Sequence, residues 1–140
     1  MTATASSTPF IERDLIRAAI DQAPDALILT DSTGAVRIWN QRAVEMFGFS
    51  MQEALDGGLN LIIPPDLRAA HWAGFRAAIA AGRTRSHGNA VVSRAMHKNG
   101  NKLYVELSFA VLRDGPGTTM GALAIARDVT QRHLAAKGRT

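Results

Sequence analysis

The apolar positions of this chain switch between helical and strand periodicity. Positions 15, 16, 19 and 20 are apolar and recur at helical spacing within residues 12–22. Two short apolar runs follow at residues 26–30 and 35–39, and a turn sequence, DSTG, lies between them. The pattern therefore predicts an amino-terminal helix and then a β-hairpin over residues 26–39.

Capping residues predict two short helices after this hairpin. Asn40 can accept a hydrogen bond from the first turn of a helix over residues 41–47, and Gly48 can end that helix. Ser50 stands three residues before Glu53, which is the capping-box pattern of a second short helix. The sequence thus indicates a helical insert after the first two strands.

A longer helix is predicted between Pro65, near its first turn, and Gly82, just past its end. Positions 67, 71, 75 and 79 are four residues apart, so their side chains share one face of this helix. Three of these residues are apolar, and the fourth is His71. His71 therefore places a side chain that can ionise near neutral pH where the core is expected.

The remaining apolar runs predict three more strands. Residues 85–96 and 103–112 flank an Asn-Gly pair, which is a strong hairpin signal, and residues 120–127 form the last run. Asp128 and Thr130 can then cap a carboxy-terminal helix. Two strands, a helical insert and three strands in a meander predict an α+β domain, with one antiparallel sheet and helices packed on one face.

The composition is that of one globular domain. The 140 residues are 46% hydrophobic and 20% charged, which is enough to bury a core. No run approaches the roughly 18 apolar residues of a membrane span, and the first residues lack a secretory signal, so we expect a cytoplasmic protein without membrane contact. The absence of cysteine excludes disulfides, thiolate metal sites and a cysteine nucleophile.

Charge and candidate chemistry exclude further classes of function. The net charge is +4, but the arginines are scattered and aromatic residues make up only 6%, so we expect no nucleic-acid binding. His87, His97 and His133 show no metal-ligand spacing, and no nucleophile, base and orienting residue stand together. We therefore expect a domain that is not an enzyme.

Four segments resemble those of PAS sensor domains. They are DSTGAVRIWN at 31–40, AVEMFGF at 43–49, KNGN at 98–101 and ARDVT at 126–130. The resemblance covers roughly residues 15–132 and implies the PAS fold, a five-stranded antiparallel sheet that encloses a ligand pocket with its helices. The family senses light, redox state, gases or small molecules and signals through its terminal helices.

The resemblance also implies domain boundaries. We expect a disordered leader at 1–10, a flanking helix at 11–23, the PAS domain at 24–130, and a linker helix or tail at 131–140. Asp128 and Thr130 match the family's junction between the last strand and the output helix, which implies a role in signal relay.

The segment at 61–85 resembles a narrower group, the haem-binding oxygen-sensing PAS domains. That group carries the proximal iron ligand in a Pro-x-x-Leu/Tyr-Arg-x-x-His pattern, with a glycine eleven residues later. The corresponding residues here are Pro64, Leu67, Arg68, His71 and Gly82. The resemblance therefore implies haem b with His71 on the iron.

Other residues of this group are replaced in the chain. The arginine or methionine that the group places on the distal side falls near Val91 or Asn89, unless the register shifts to Arg85 or Arg94. The arginine that pairs with a haem propionate falls near Ala77. Strand alternation and the resemblance predict that the following residues join His71 in the pocket wall: Ile28, Met46, Ile62, Phe75, Val91, Leu107, Phe109, Leu123 and Ile125.

Two alternatives remain open beside a haem sensor. One is a PAS domain with a filled core that forms a homodimer through the amino-terminal helix and the sheet, with positions 15, 16, 19 and 20 on the helix face. The other is a sensor of flavin or another small molecule, in which flavin is held noncovalently because no cysteine is present to form a light-driven adduct. In each case the resemblance implies an output partner or domain, such as a histidine kinase or a cyclic-di-nucleotide enzyme.

Overall fold

The computed structural model describes residues 3–86 and 88–138. Its helices and strands follow the order that the apolar pattern predicts, with a short 3₁₀ helix (Leu59–Leu61) before the longest inserted helix. The elements in chain order are α1 (Ala3–Asp21), β1 (Ala26–Asp31), β2 (Val36–Trp39), α2 (Gln41–Phe47), α3 (Met51–Gly57), α4 (Pro65–Ala81), β3 (Val91–Met96), β4 (Lys102–Arg113), β5 (Thr119–Asp128) and α5 (Thr130–Gly138).

The five strands form one antiparallel sheet in the order β2-β1-β5-β4-β3. The last strand therefore lies at the centre, between the two hairpins. Helices α2, α3 and α4 form the insert between β2 and β3. The buried core joins the inner face of the sheet to α2 and α3 through Ile28, Trp39, Ala43, Phe47 and Ala54. The predicted α+β fold with a five-stranded antiparallel sheet is confirmed.

The predicted helix caps are also confirmed. The side chain of Asn40 accepts a hydrogen bond from the backbone N–H of Ala43, and Gly48 ends α2 with a left-handed φ of 82°. Ser50 and Glu53 form both hydrogen bonds of the capping box at the start of α3. Local sequence therefore determines where the helical insert begins and turns.

Three boundaries differ from the expectations. Helix α1 begins at Ala3, within the segment predicted as a disordered leader. Strand β3 begins only at Val91 rather than at 85, because the Asn89 N–H bonds to the Ser86 carbonyl in a turn and Gly88 has a φ of 82°. Helix α5 extends from Thr130 to Gly138, beyond the predicted 131–136.

Two classes of site are absent from the described part of the chain. Within residues 3–86 and 88–138, no helix is long and apolar enough to cross a membrane. The same residues contain no group of three or more histidine and carboxylate side chains that could hold a metal ion.

Candidate functional site

A cavity of about 680 Å³ lies between α4 and the sheet. Its size falls within the range of ligand pockets. Its walls are mostly apolar and come from α4, the connector that precedes it and the three carboxy-terminal strands. The fold thus provides an apolar chamber that is large enough for a small molecule.

Small side chains account for this space. Ala122 and Ala124 line the cavity from β5, and Ala70, Gly74 and Ala78 line it from α4. A Cβ atom added at Gly74 would meet no other atom within 4 Å. Because facing positions on the helix and the sheet are both small, the two elements cannot fill the volume between them.

The predicted apolar face of α4 forms one wall. Leu67, His71, Phe75 and Ile79 all border the cavity. Helix α4 contains no fully buried residue, so it stands as a side wall rather than as part of the packed core. Its amino-terminal end is anchored by Arg68, whose guanidinium donates hydrogen bonds of 3.0 Å to the carbonyls of Asn60 and Ile63.

His71 contributes a polar atom to this wall that makes no hydrogen bond within the described residues. Its Nε2 is buried and has no hydrogen-bond partner within the described part of the chain. Burial lowers the pKa of His71 below its ordinary value of 6.5, because desolvation disfavours the charged imidazolium. No backbone carbonyl of the described residues is hydrogen-bonded to Nε2, as would be expected for an ordinary buried histidine. A neutral imidazole nitrogen without a partner, on an apolar wall, suits an axial ligand to haem iron.

The ring of Trp72 packs against the ring of His71. The two rings meet edge to face, with centroids 4.7 Å apart and an angle of 86° between their planes. The indole Nε1–H donates a hydrogen bond of 2.9 Å to Oδ1 of Asn60. Helical spacing alone gives no sign of this ring contact, because Trp72 and His71 are successive residues of α4.

The β1–β2 turn touches Trp72 at Gly34. A Cβ atom added at Gly34, which has a φ of 92°, would lie 2.6 Å from Cζ3 of Trp72. The turn is held by Asp31, whose carboxylate accepts hydrogen bonds from Thr33, Ala35 and Arg37. These bonds, led by the one from the Thr33 hydroxyl, lower the pKa of Asp31 to about 2. These hydrogen bonds hold the turn in one conformation beside Trp72 of α4.

Arginines supply the charge around the cavity. Arg85 and Arg94 line it together with polar residues of the α4–β3 segment and β3, and no acidic side chain of the described residues lines it. Arg94 forms an ion pair with Asp66 in the first turn of α4 and lowers the pKa of that carboxyl. Arg85 is exposed and has no ion-pair partner within the described residues. The charged part of the wall therefore suits a ligand with an acidic group.

The structure brings most of the predicted wall residues to one cavity. Met46 and Ile125 are outside it. Met46 lies on α2 and packs against the buried core. Ile125 lies on β5 next to Ala126 of the buried core and does not line the cavity. The predicted residues that do line the cavity are Ile28, Ile62, His71, Phe75, Val91, Leu107, Phe109 and Leu123.

The small residues that line the cavity are not among the predicted wall residues, because the prediction considered bulky apolar side chains. Ala70, Gly74 and Ala78 recur four residues apart on α4, beside the row that contains His71. This spacing is a signal that the sequence does contain. The alanines of β5 carry no comparable signal, because larger residues alternate with them and would ordinarily be assigned to the interior.

Asp128 and Thr130 meet at the start of α5, as the resemblance implies. The Asp128 carboxylate accepts hydrogen bonds from the Thr130 N–H at 2.9 Å and from its hydroxyl at 2.6 Å. Thr130 Oγ1 accepts a bond of 2.9 Å from the backbone N–H of Tyr104 on β4. Tyr104 in turn stacks on His133 with centroids 4.0 Å apart. The two residues therefore connect β5, β4 and α5 mechanically.

Comparisons with known proteins agree with this architecture. The chain is 25% identical over 112 residues to the oxygen sensor protein DosP of Escherichia coli (strain K12), a match that covers 80% of the chain and 14% of DosP. The PAS domain of a Colwellia psychrerythraea protein has a TM-score of 0.72 at 24% identity, over 84% of this chain and 97% of that one. A light-oxygen-voltage domain studied with a flavin analogue has a TM-score of 0.66 at 19% identity, over 90% of this chain and 92% of that one.

The structural neighbours share the fold of this chain. The chain spans only about 14% of the length of DosP. A sequence model of the PAS fold matches residues 14–129. This segment contains the whole sheet, the helical insert and the cavity. The chain therefore belongs to the PAS family of sensory domains.

Proposed function

We propose that this PAS domain is a haem-based gas or redox sensor in which His71 is the proximal iron ligand. The observation that carries the proposal is the buried Nε2 of His71, which has no partner within the described residues and belongs to a side chain on the wall of a 680 Å³ cavity. A buried polar atom without a partner is costly in a folded protein, and a metal bond would satisfy it.

The rest of the wall supports the same proposal. Apolar strands and the small residues of α4 can accept a flat apolar macrocycle, and Arg85 and Arg94 can pair with its carboxylates. Bound haem would supply an iron centre whose outer ligand or oxidation state reports the signal. The match to an oxygen sensor makes oxygen the first gas to test.

The chain's own residues would then transmit the change. Phe109, Ala122 and Ala124 touch the cavity from β4 and β5. Strand β5 ends at Asp128, and β4 contacts α5 through the bond from the Tyr104 N–H to Oγ1 of Thr130. A ligand that binds two arrangements of these strands with different affinity would shift the population of α5 positions. The output would be read by a partner or attached domain, such as a histidine kinase or a cyclic-di-nucleotide enzyme, in the cytoplasm, and the domain itself would catalyse no reaction.

The test is the absorption spectrum of the protein produced with a haem supply. We expect a Soret band that shifts on reduction and on addition of carbon monoxide, and that is lost or altered in His71→Ala. His133→Ala is the matched control, because His133 lies on α5 outside this cavity and should leave the band unchanged.

A wild-type protein that stays colourless after haem titration would refute the haem proposal. Flavin absorption in the purified protein would instead support the flavin alternative, which the likeness to a light-oxygen-voltage fold keeps in view. Release of a colourless metabolite on denaturation would identify another small-molecule sensor.

Helix α1 supports a second candidate function, homodimerisation. Ile11, Leu15 and Ile16 are 56%, 66% and 57% exposed, which is unusual for large apolar residues. Ala19 is exposed beside them. A second copy that covers this stripe would remove it from water.

Light scattering over a range of protein concentrations tests dimerisation. We expect Leu15→Ser combined with Ile16→Ser to reduce the mass to that of a monomer. Met120→Ser is the control, because Met120 is equally exposed at 58% but belongs to β5 and not to the stripe on α1. A wild-type protein that is monomeric at every concentration would exclude this candidate.

A further inference from the structure

We propose that Trp72 is a positioning residue for His71, and that it couples the imidazole to the β1–β2 turn at Gly34 and to Asn60. The inference rests on the proposed role of His71 as the cavity's ligand-binding group. Trp72 does not line the cavity, whereas His71 does, and the role of Trp72 is to orient the His71 side chain.

The first observation is the contact between the two rings. Successive residues of a helix point in directions about 100° apart, so their side chains do not ordinarily meet. Here the ring centroids of His71 and Trp72 are 4.7 Å apart in an edge-to-face arrangement. Trp72 makes a second edge-to-face contact with Phe75, at 5.4 Å and 77°. The indole therefore lies between two rings of the cavity wall.

The second observation is that the indole has little freedom to move. Its N–H is bonded to Oδ1 of Asn60, and the backbone carbonyl of Asn60 is itself bonded to Arg68 on α4. The benzene edge of the indole rests on the backbone of Gly34, where even one methyl group would be too close. Trp72 is thus fixed at both ends by groups outside the cavity.

The imidazole of His71 has no such restraint of its own. Its Nε2 makes no hydrogen bond within the described residues, so packing is what limits rotation about the side-chain bonds. The Trp72 ring supplies that packing on one side. A displacement of the β1–β2 turn would move Trp72 and reorient His71, and a movement of His71 would press on the turn by the same route.

Side-chain coupling constants of His71, measured by NMR on the full chain without cofactor, test this inference. We expect one dominant χ1 rotamer in the wild type. In Trp72→Leu the rotamer ratio should fall by about fivefold, as expected when one aromatic contact is lost. Asn60→Ala leaves the indole in place and removes only its hydrogen-bond acceptor, so it should give a smaller change in the same direction.

A glycine pair provides the matched control for the turn. Gly34→Ala places a methyl group against Trp72, whereas Gly100→Ala places one in open space at a φ of 90°, close to the 92° of Gly34. Both substitutions impose the same backbone strain. Only Gly34→Ala should alter the His71 rotamer ratio, and, in protein loaded with haem, the iron–histidine stretching frequency.

Unchanged His71 couplings in both Trp72→Leu and Gly34→Ala would overturn the inference. If these variants fail to fold, Asn60→Ala decides it, because Asn60 is exposed and its removal leaves the core intact. If wild type binds no haem while the variants still change the His71 couplings, the proposed function fails and the positioning role of Trp72 stands.

Discussion

Oδ1 of Asn40 accepts a hydrogen bond of 2.9 Å from the backbone N–H of Leu27, thirteen residues earlier in the chain. The same oxygen caps α2 through the N–H of Ala43, and the Asn40 amide donates to the carbonyls of Ile20 and Asp25. All four hydrogen-bonding positions of this side chain are thus used, and Asn40 is 0% exposed. One amide joins the end of α1, the start of β1 and the start of α2.

Asn40→Ala should lower the free energy of unfolding by about 3 kcal/mol, because it leaves buried backbone groups without partners. Urea denaturation at neutral pH measures this loss. Asn99→Ala is the control, since Asn99 is exposed and its side chain accepts a bond from the Asn101 N–H within the same turn. Equal losses in the two variants would show that the buried network contributes nothing beyond an ordinary turn.

Gly121 allows β1 and β5 to approach each other closely. A Cβ atom at this position would lie 2.0 Å from the carbonyl oxygen of Thr30, and backbone atoms cannot move aside as a side chain can. Gly121→Ala should therefore destabilise the domain by about 3 kcal/mol or prevent folding. Gly115→Ala, in a turn with no atom within 4 Å of the added methyl group, should change thermal stability little.

The low pKa of Asp31 predicts a specific dependence of stability on pH. Its pKa is about 2 in the folded protein and 3.8 ordinarily, so the stabilisation is complete above 3.8 and is lost as the pH falls towards 2. Asp31→Asn cannot titrate, and its free energy of unfolding should vary less with pH over this interval than that of the wild type. Asp56→Asn, on the exposed side of α3, is the control for loss of one charge. Parallel curves for wild type and Asp31→Asn would contradict the assignment.

Gly74 offers a way to fill the cavity without disturbing the core. Gly74→Leu should abolish haem binding, measured by titration at the Soret band, because the side chain enters the space beside His71. Gly74→Ala should retain binding and stabilise α4 by roughly 1 kcal/mol, since alanine favours the helix. Ala73→Leu, on the exposed side of α4, should bind haem normally. Full binding by Gly74→Leu would place the ligand elsewhere.

The junction at Asp128 and Thr130 should affect signalling without affecting ligand binding. Thr130→Ala removes the acceptor for the Tyr104 N–H, and Asp128→Ala removes the acceptor for both bonds from Thr130. We expect unchanged ligand affinity and a loss of ligand-dependent change in the mobility of α5, measured by a spin label on an exposed α5 residue. If both variants keep the wild-type response, the junction does not relay the signal.

The sequence by itself predicts the elements whose signals lie within a few residues. Asn40 and Ser50 bond to groups three residues away, and the glycines at 48 and 82 end their helices by left-handed φ values of 82° and 74°. The row that carries His71 follows from helical periodicity alone. Such features are predictable because the interacting groups are neighbours in the chain, whatever the rest of the fold does.

Tertiary structure decides how these elements are spaced and which faces they present. The alternation along β5 is visible in the sequence, but only the pairing with β1 and β4 turns Ala122 and Ala124 towards α4 and opens the cavity. The second role of Asn40 and the contact of Trp72 with Gly34 likewise join segments far apart in the chain. These contacts depend on strand register and on the volume left between packed elements, and neither quantity is encoded within a short stretch of residues.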